Sequence, residues 1–209
     1  MGEETSRLRQ GVSDDVPIRD AATLILVRDM ESAPSILMGQ RGKTAAFMAD
    51  KFVFPGGAVD QGDAHPVLSL APICHERLQH ASARAADALV AAALRELLEE
   101  TGQRLDGKTA ALSFFFRAIT PPGRPRRFDA RFFLASADGL STDPDRFDPE
   151  DAELSHLQWV PLPKVRQLNL PFITRIVLAE LEAHLPRLDP PDRLAFIQND
   201  DRERGVVWL

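Results

Sequence analysis

Short apolar blocks separated by turn residues dominate the first half of this chain. Asp20 to Arg28 holds the run Ala21-Ala22-Thr23-Leu24-Ile25-Leu26-Val27, whose length and β-branched content predict a buried strand. Asp29 to Ser35 predicts a turn, and Ile36 to Arg41 a strand returning as the second arm of a hairpin. Phe52-Val53-Phe54 predicts a short strand running into Pro55-Gly56-Gly57, a strong chain-turning signal. Ala111–Ile119, Phe128–Ala135 and His156–Val160 predict three more strands. The second of these alternates, with Asp129, Arg131 and Phe133 on one side and Phe128, Ala130 and Phe132 on the other.

Two segments change period from 2 to 3.6. Ala81 to Glu100 is alanine-rich and predicts a helix closed by Gly102, where a C-cap glycine belongs. Pro171 to Leu185 predicts a second helix, with Pro171 at its first turn. Residues 58–79 lack periodicity and contain Pro66 and Pro72, so they read as an irregular insertion with room for one short helix. The tail from Pro186 is rich in proline and charge and predicts no element. Strands flanking two separated helices imply a layered α/β domain with a mixed sheet. The expectation is one domain over 17–209, carrying the insertion at 58–79, with 1–16 flexible.

At 44% hydrophobic over 209 residues, the chain can bury a substantial core. Its net charge of −6 argues against broad binding to nucleic-acid polymers. A single cysteine, Cys74, leaves no intramolecular disulfide and fits a reducing compartment. The polar start and the lack of a long apolar run lead to the expectation of a cytoplasmic protein with no membrane partner.

Charge patterning on the first helix changes the picture most. Glu96, Glu99 and Glu100 fall at i, i+3 and i+4 and share one face, while Val90, Leu94, Leu97 and Leu98 are expected on the buried face. Three like charges repel, and the helix C-terminus disfavours anions. Arg95 can pair with Glu99 but cannot offset the whole cluster; a hard cation such as Mg²⁺ or Mn²⁺ can. A glutamate-rich helical face is ordinarily solvated surface. Here Arg95, Gly102 and the upstream Gly56-Gly57 accompany the glutamates, and together they carry a family resemblance that implies a metal-dependent active site.

Phe54-Pro55-Gly56-Gly57 followed by Arg95-Glu96-Leu97-Leu98-Glu99-Glu100-Thr101-Gly102 resembles the signature of the Nudix hydrolases. Arg95, Glu96, Leu97, Glu99, Glu100 and Gly102 match that pattern. Three departures stand beside the match. The pattern's glutamate eight residues before the arginine is Asp87 here, the glycine pair lies far upstream, and Gln103 replaces an expected hydrophobic residue after Gly102. The insertion, together with Arg41 to Phe54, Arg127 to Phe133 and Glu153 ahead of Trp159, is similar to the branch that includes the animal peroxisomal coenzyme A diphosphatase. The resemblance implies a Nudix-like α/β/α sandwich and Mg²⁺- or Mn²⁺-dependent cleavage of a diphosphate linkage. It further implies Glu96, Glu99 and Glu100 as metal-binding and catalytic residues, a metal contact from the Gly57 backbone, Arg95 orienting the glutamates, and Glu153 as an extra carboxylate. Glu153 and Glu99 both stand as candidates for the base.

Arginine forks suit phosphate groups, which makes Arg41, Arg127 and Arg131 candidate substrate contacts. His65, Cys74, His75 and His80 match no compact zinc spacing. Trp159 and Ser113-Phe114-Phe115-Phe116 read as core. The expected substrate is a nucleoside diphosphate derivative, with coenzyme A or acyl-coenzyme A set against ADP-ribose or a dinucleotide. A non-catalytic domain binding a nucleotide or a protein is the alternative of another class, and a homodimer contact through Val206-Val207-Trp208-Leu209 stays open.

Overall fold

Strict alternation along the central strands sorts their side chains into two separate cores. The structure, a computed structural model, describes residues 16–209 except Ser69 and Asp201, so all but the last residue of the 1–16 expectation falls outside it. Strand β1 (Ile18–Arg28) sends Ala22, Leu24 and Leu26 to one face, and Ile25 and Val27 to the other. Strand β6 (Arg127–Ser136) does the same with Phe133 and Ala135 against Phe132 and Leu134. The first set packs with Cys74 and Leu78 of helix α1 (Pro72–Gln79) and with Leu89, Val90, Ala93 and Leu97 of helix α2 (Ala86–Thr101). The second packs with Val177, Leu178 and Leu181 of helix α4 (Phe172–His184). A sheet with helices on both faces is the α/β/α sandwich that the sequence implied.

The remaining strands are β2 (Ser35–Arg41), β3 (Phe52–Val53), β4 (Gly56–Ala58), β5 (Ser113–Ile119), β7 (Leu154–Pro161), β8 (Ala195–Asn199) and β9 (Arg204–Trp208); a short helix α3 (Leu162–Val165) follows β7. The sheet runs β3-β2-β1-β6-β5-β8-β9, with β4 also paired to β1 and β7 to β2. It is mixed: β1 pairs with β6, and β5 with β8, in parallel, and the other pairs are antiparallel.

The expected β1–β2 hairpin forms only at its tip, through Val27 with Ile36 and Arg28 with Ser35. Further back, β1 pairs with β4 instead, setting Gly57 opposite Ala22 and Gly56 opposite Thr23. That split carries the glycine turn to the flank of α2.

Helix α2 starts at Ala86, five residues after the expected start at Ala81. The carbonyls of His80 and Ala81 accept from the guanidinium of Arg117, and Ser82 turns the chain by bonding the Arg84 carbonyl. The Arg84 N–H, which would reach the His80 carbonyl in a helix, bonds Ser82 Oγ at 3.3 Å instead. The insertion contributes α1, opened by Pro72. In the tail, β8 and β9 form a hairpin that the sequence pattern did not predict. The residues of β9 are exposed or only half-buried, so the strand has no apolar alternation to give it away. Among the described residues, no helix is long and apolar enough to cross a membrane.

Candidate active site

The last turns of α2 bring the glutamates to the edge of β4. Their environments differ sharply, because the helix also buries part of its acidic face. Glu100 is 1% exposed, and Thr101 is fully buried beside it. Leu94 and Leu98, expected on the buried face, are only half-buried. One oxygen of Glu100 accepts from the Gly56 N–H at 2.8 Å; the other, Oε1, is buried with no hydrogen-bond partner. Burial pushes this carboxyl up to about 9, with the Gly56 hydrogen bond opposing and the charges of Glu96 and Glu153 adding to the rise. Burial raises Glu96 as well, offset in part by Arg95 and reinforced by Glu99 and Glu153.

Arg95 holds the cluster from the other side. Its NH1 donates to Glu96 Oε1 and to Glu99 Oε2, each at 2.9 Å. Its Nε and NH2 donate to Asp63 at 2.9 and 3.1 Å, and NH2 also reaches the Ala58 carbonyl at 3.0 Å. Asp63, rather than the exposed Asp87, is thus the acidic partner of the motif arginine. Asp63 lies six residues after Gly57, and the remainder of the insertion follows it. Counting forward from the glycine, instead of back from the arginine, was the signal that could have found it.

Gly57 is required by the placement of Glu96 rather than by the fold. A β-carbon there would lie 2.2 Å from Glu96 Oε1, so with Glu96 in this position only a glycine backbone can approach the carboxylate so closely. Gly102 caps α2 in the left-handed conformation at φ 74°, its N–H bonding the Leu98 carbonyl.

Helix ends leave carbonyls without partners, and here an acidic loop supplies them. The N–H groups of Glu150 and Asp151 donate to the Glu99 carbonyl at 2.8 and 3.1 Å, and that of Asp148 to the Thr101 carbonyl at 3.3 Å. The same loop delivers Glu153, whose own N–H is turned by Asp151 Oδ1 at 2.9 Å. Glu153 pairs with Arg41, and its charge is felt by both Glu96 and Glu100. The sequence candidates Glu96, Glu99, Glu100, Arg95, Gly57, Glu153 and Arg41 are accordingly brought together.

Arg127 and Arg131 sit in the interior instead, each committed to protein groups. Arg131 is fully buried, donating to Asp20 at 2.6 Å, to the Asp129 carbonyl at 2.7 Å and to Ser82 at 3.0 Å. Arg127 is 1% exposed and donates to the carbonyls of Thr120 and Asn199. His65, His75 and His80 are exposed while Cys74 is buried, and among the described residues they form no cluster that could hold a metal.

A divalent cation suits the donor set. A buried carboxylate oxygen without a partner, a second carboxylate in close packing with a glycine backbone, and a third on the same helical face are hard oxygen ligands. Among the described residues, no three His, Cys, Asp or Glu side chains are drawn together as a finished cage. The Arg95 guanidinium bridges two of the carboxylates instead.

Residues 83–181 match the NUDIX domain family, a span that begins downstream of Gly57 and Asp63. A Caenorhabditis elegans protein named "Putative nudix hydrolase 7" is 29% identical over 175 residues, covering 68% of this chain and 51% of that protein. The chain thus spans about half the length of the curated relative it matches. The crystal structure of a NUDIX hydrolase from Alicyclobacillus acidocaldarius superposes with a TM-score of 0.60 at 25% identity, covering 84% of this chain and 98% of that one. The NUDIX domain of Shewanella oneidensis NrtR, complexed with ADP ribose, shares the fold at a TM-score of 0.55 and 15% identity, over 81% and 89% of the two chains. The family match over residues 83–181, the shared fold and the glutamate helix with its upstream glycines all make this chain similar to the Nudix hydrolases.

Proposed function

We propose that this chain hydrolyses a diphosphate linkage in a nucleoside diphosphate derivative, using Mg²⁺ or Mn²⁺. The observation that carries this reading is Glu100, a nearly inaccessible carboxylate with one unpartnered oxygen beside Glu96. A carboxylate kept in such a place needs a cation or a proton. Its neighbours are the residue types that hold hard cations.

Glu96, Glu99 and Glu100, with the backbone of Gly57, would hold the ion. When bound, it neutralises the non-bridging oxygens of the diphosphate and lowers the pKa of water. Arg95, braced by Asp63 and the Ala58 carbonyl, sets where Glu96 and Glu99 point. Glu153 is half exposed, with a side chain at 48%, and stands close enough to influence Glu96 and Glu100. It is the carboxylate we assign to take the proton of the attacking water. The water oxygen then bonds to one phosphorus, and the bond to the bridging oxygen breaks. The second phosphoryl group departs as a phosphate monoester. Arg41, paired to Glu153, is placed to meet phosphate charge at the same spot.

Coenzyme A or an acyl-coenzyme A is the substrate that the insertion and the resemblance over Arg127 to Phe133 favour. Purified protein is incubated with Mn²⁺ or Mg²⁺ and either coenzyme A, ADP-ribose or a dinucleoside polyphosphate, and the products are weighed by mass spectrometry. Formation of 3′,5′-ADP and 4′-phosphopantetheine supports the coenzyme A assignment. Preferential release of AMP and ribose phosphate moves the assignment to ADP-ribose. Absence of turnover across the panel, in protein shown to bind the metal, refutes the hydrolase.

A further inference from the structure

Gln103 replaces the hydrophobic residue expected after Gly102, yet it is fully buried. A buried carboxamide is tolerated only where its donors and acceptor are matched, and this one is matched by a single loop. Its Nε2 donates to the carbonyls of Asp143 and Arg146 at 3.1 and 2.7 Å, and its Oε1 accepts from Thr142 Oγ1 at 2.7 Å. The backbone reinforces the same contact through the Arg104 N–H, which donates to Thr142 Oγ1 at 3.2 Å, while the Gln103 N–H is anchored to the helix end by Thr101 Oγ1 at 3.1 Å. The loop so held continues into the N–H groups that cap Glu99 and then into Glu153.

From the other side, Trp159 Nε1 donates to the Pro144 carbonyl at 2.8 Å, and Arg28 pairs with Asp145 at 2.6 Å. Those two contacts tie the loop to the sheet. Gln103 is a side-chain tie from the loop to the polypeptide directly following the glutamate helix. An apolar side chain at 103 would leave the Asp143 and Arg146 carbonyls without their amide partner.

We infer that Gln103 is a positioning residue, clamping the acidic loop onto the end of α2 so that Glu153 is held at the glutamate cluster. The inference rests on the hydrolase reading for its catalytic consequence, but the clamp itself does not.

The test combines amide hydrogen exchange with a double-mutant cycle. In Gln103→Leu, the amides of Glu150 and Asp151 should exchange about 10-fold faster while those of β1 are unchanged. Turnover should fall about 10-fold in kcat, with KM moving less than about 2-fold, because Glu153 is misplaced rather than lost. In a Glu153→Gln background, the same substitution should cost less than about 2-fold of the residual kcat, since the group it positions is gone. Thr142→Val removes the hydroxyl that donates to Gln103 Oε1 and accepts the Arg104 N–H while leaving both Gln103 Nε2 bonds, and gives the same pattern at smaller size, which keeps the test decisive if Gln103→Leu fails to fold. Unchanged exchange at Glu150 and Asp151 overturns the clamp. Equal losses of kcat in both backgrounds overturn the positioning role and leave a purely structural one. If wild-type protein turns over no diphosphate, the hydrolase reading falls, and the exchange measurement still decides whether Gln103 clamps the loop.

Discussion

Arg95 and Asp63 lie 32 residues apart in sequence, yet the arginine donates Nε to Oδ1 at 2.9 Å and NH2 to Oδ2 at 3.1 Å. The pair joins the start of the insertion to the glutamate helix, and Asp63 accepts the Asp60 N–H at 2.7 Å on its other side. Through this bond, a segment that looks irregular in sequence fixes the residue that aims two of the glutamates.

Asp63→Ala removes both bonds from a guanidinium that is three-quarters buried. Stability in urea should fall by about 1–3 kcal/mol, and turnover should fall with it as Glu96 and Glu99 lose their brace. Burial alone would raise the Asp63 carboxyl, but the bonds from Arg95 and Asp60 outweigh it and hold it below its ordinary value. A depressed carboxyl stabilises the fold above its unfolded pKa, and that contribution disappears as pH drops through the folded value. The stability gap between wild type and Asp63→Ala should therefore close in strong acid. A gap that persists there rejects the ion-pair explanation.

Gly57→Ala separates site geometry from stability. The added β-carbon meets the far end of the Glu96 side chain, which can swing away, so the fold should lose less than about 1 kcal/mol. Turnover should drop roughly 100-fold, because the displaced carboxylate no longer sits where the metal is held. Wild-type kcat in this variant would show that Glu96 tolerates displacement.

Glu100→Gln keeps shape and removes the ability to become an anionic metal ligand. Metal-free protein near neutral pH should melt close to the wild-type temperature, since burial already holds the Glu100 carboxyl in its neutral form and the amide replaces it at similar size. The rise in melting temperature on adding Mn²⁺ should shrink, and turnover should fall by at least about 100-fold. Equal Mn²⁺ stabilisation of the two proteins would remove Glu100 from the metal site.

Arg131→Ala should be among the most damaging single changes. Asp20 and Asp129 would lose a fully buried partner, at a cost of about 3–5 kcal/mol in denaturant unfolding. Arg131→Lys should not recover that stability, because one ammonium cannot reproduce bonds to Asp20, the Asp129 carbonyl and Ser82 together. A loss under about 1 kcal/mol in Arg131→Ala would show that water replaces the network readily.

Much of this architecture is written locally. The apolar run of β1, the alternation in β6, the alanine-rich helix and its Gly102 cap all follow from neighbouring residues, and each forms. Elements whose cause is distant do not show in the same way. Helix α2 begins late where Arg117, more than thirty residues downstream, holds the carbonyls of His80 and Ala81 and Ser82 turns the chain. Strand β8 exists because β5 offers it a parallel edge, a pairing that no local pattern in the proline-rich tail announces.

The glutamates at 96, 99 and 100 were legible because helical spacing alone sets them side by side. Sequence could not separate their environments. Burial of Glu100, the close approach of Gly57 to Glu96, and the delivery of Glu153 by a loop that caps the Glu99 carbonyl are all decided by packing between distant segments. The same holds for Arg131, whose type suggested a phosphate contact while its surroundings made it an interior ion pair. Periodicity reports which residues can share a face, because it depends on backbone geometry. What stands opposite that face, and how much water reaches it, depends on the whole chain.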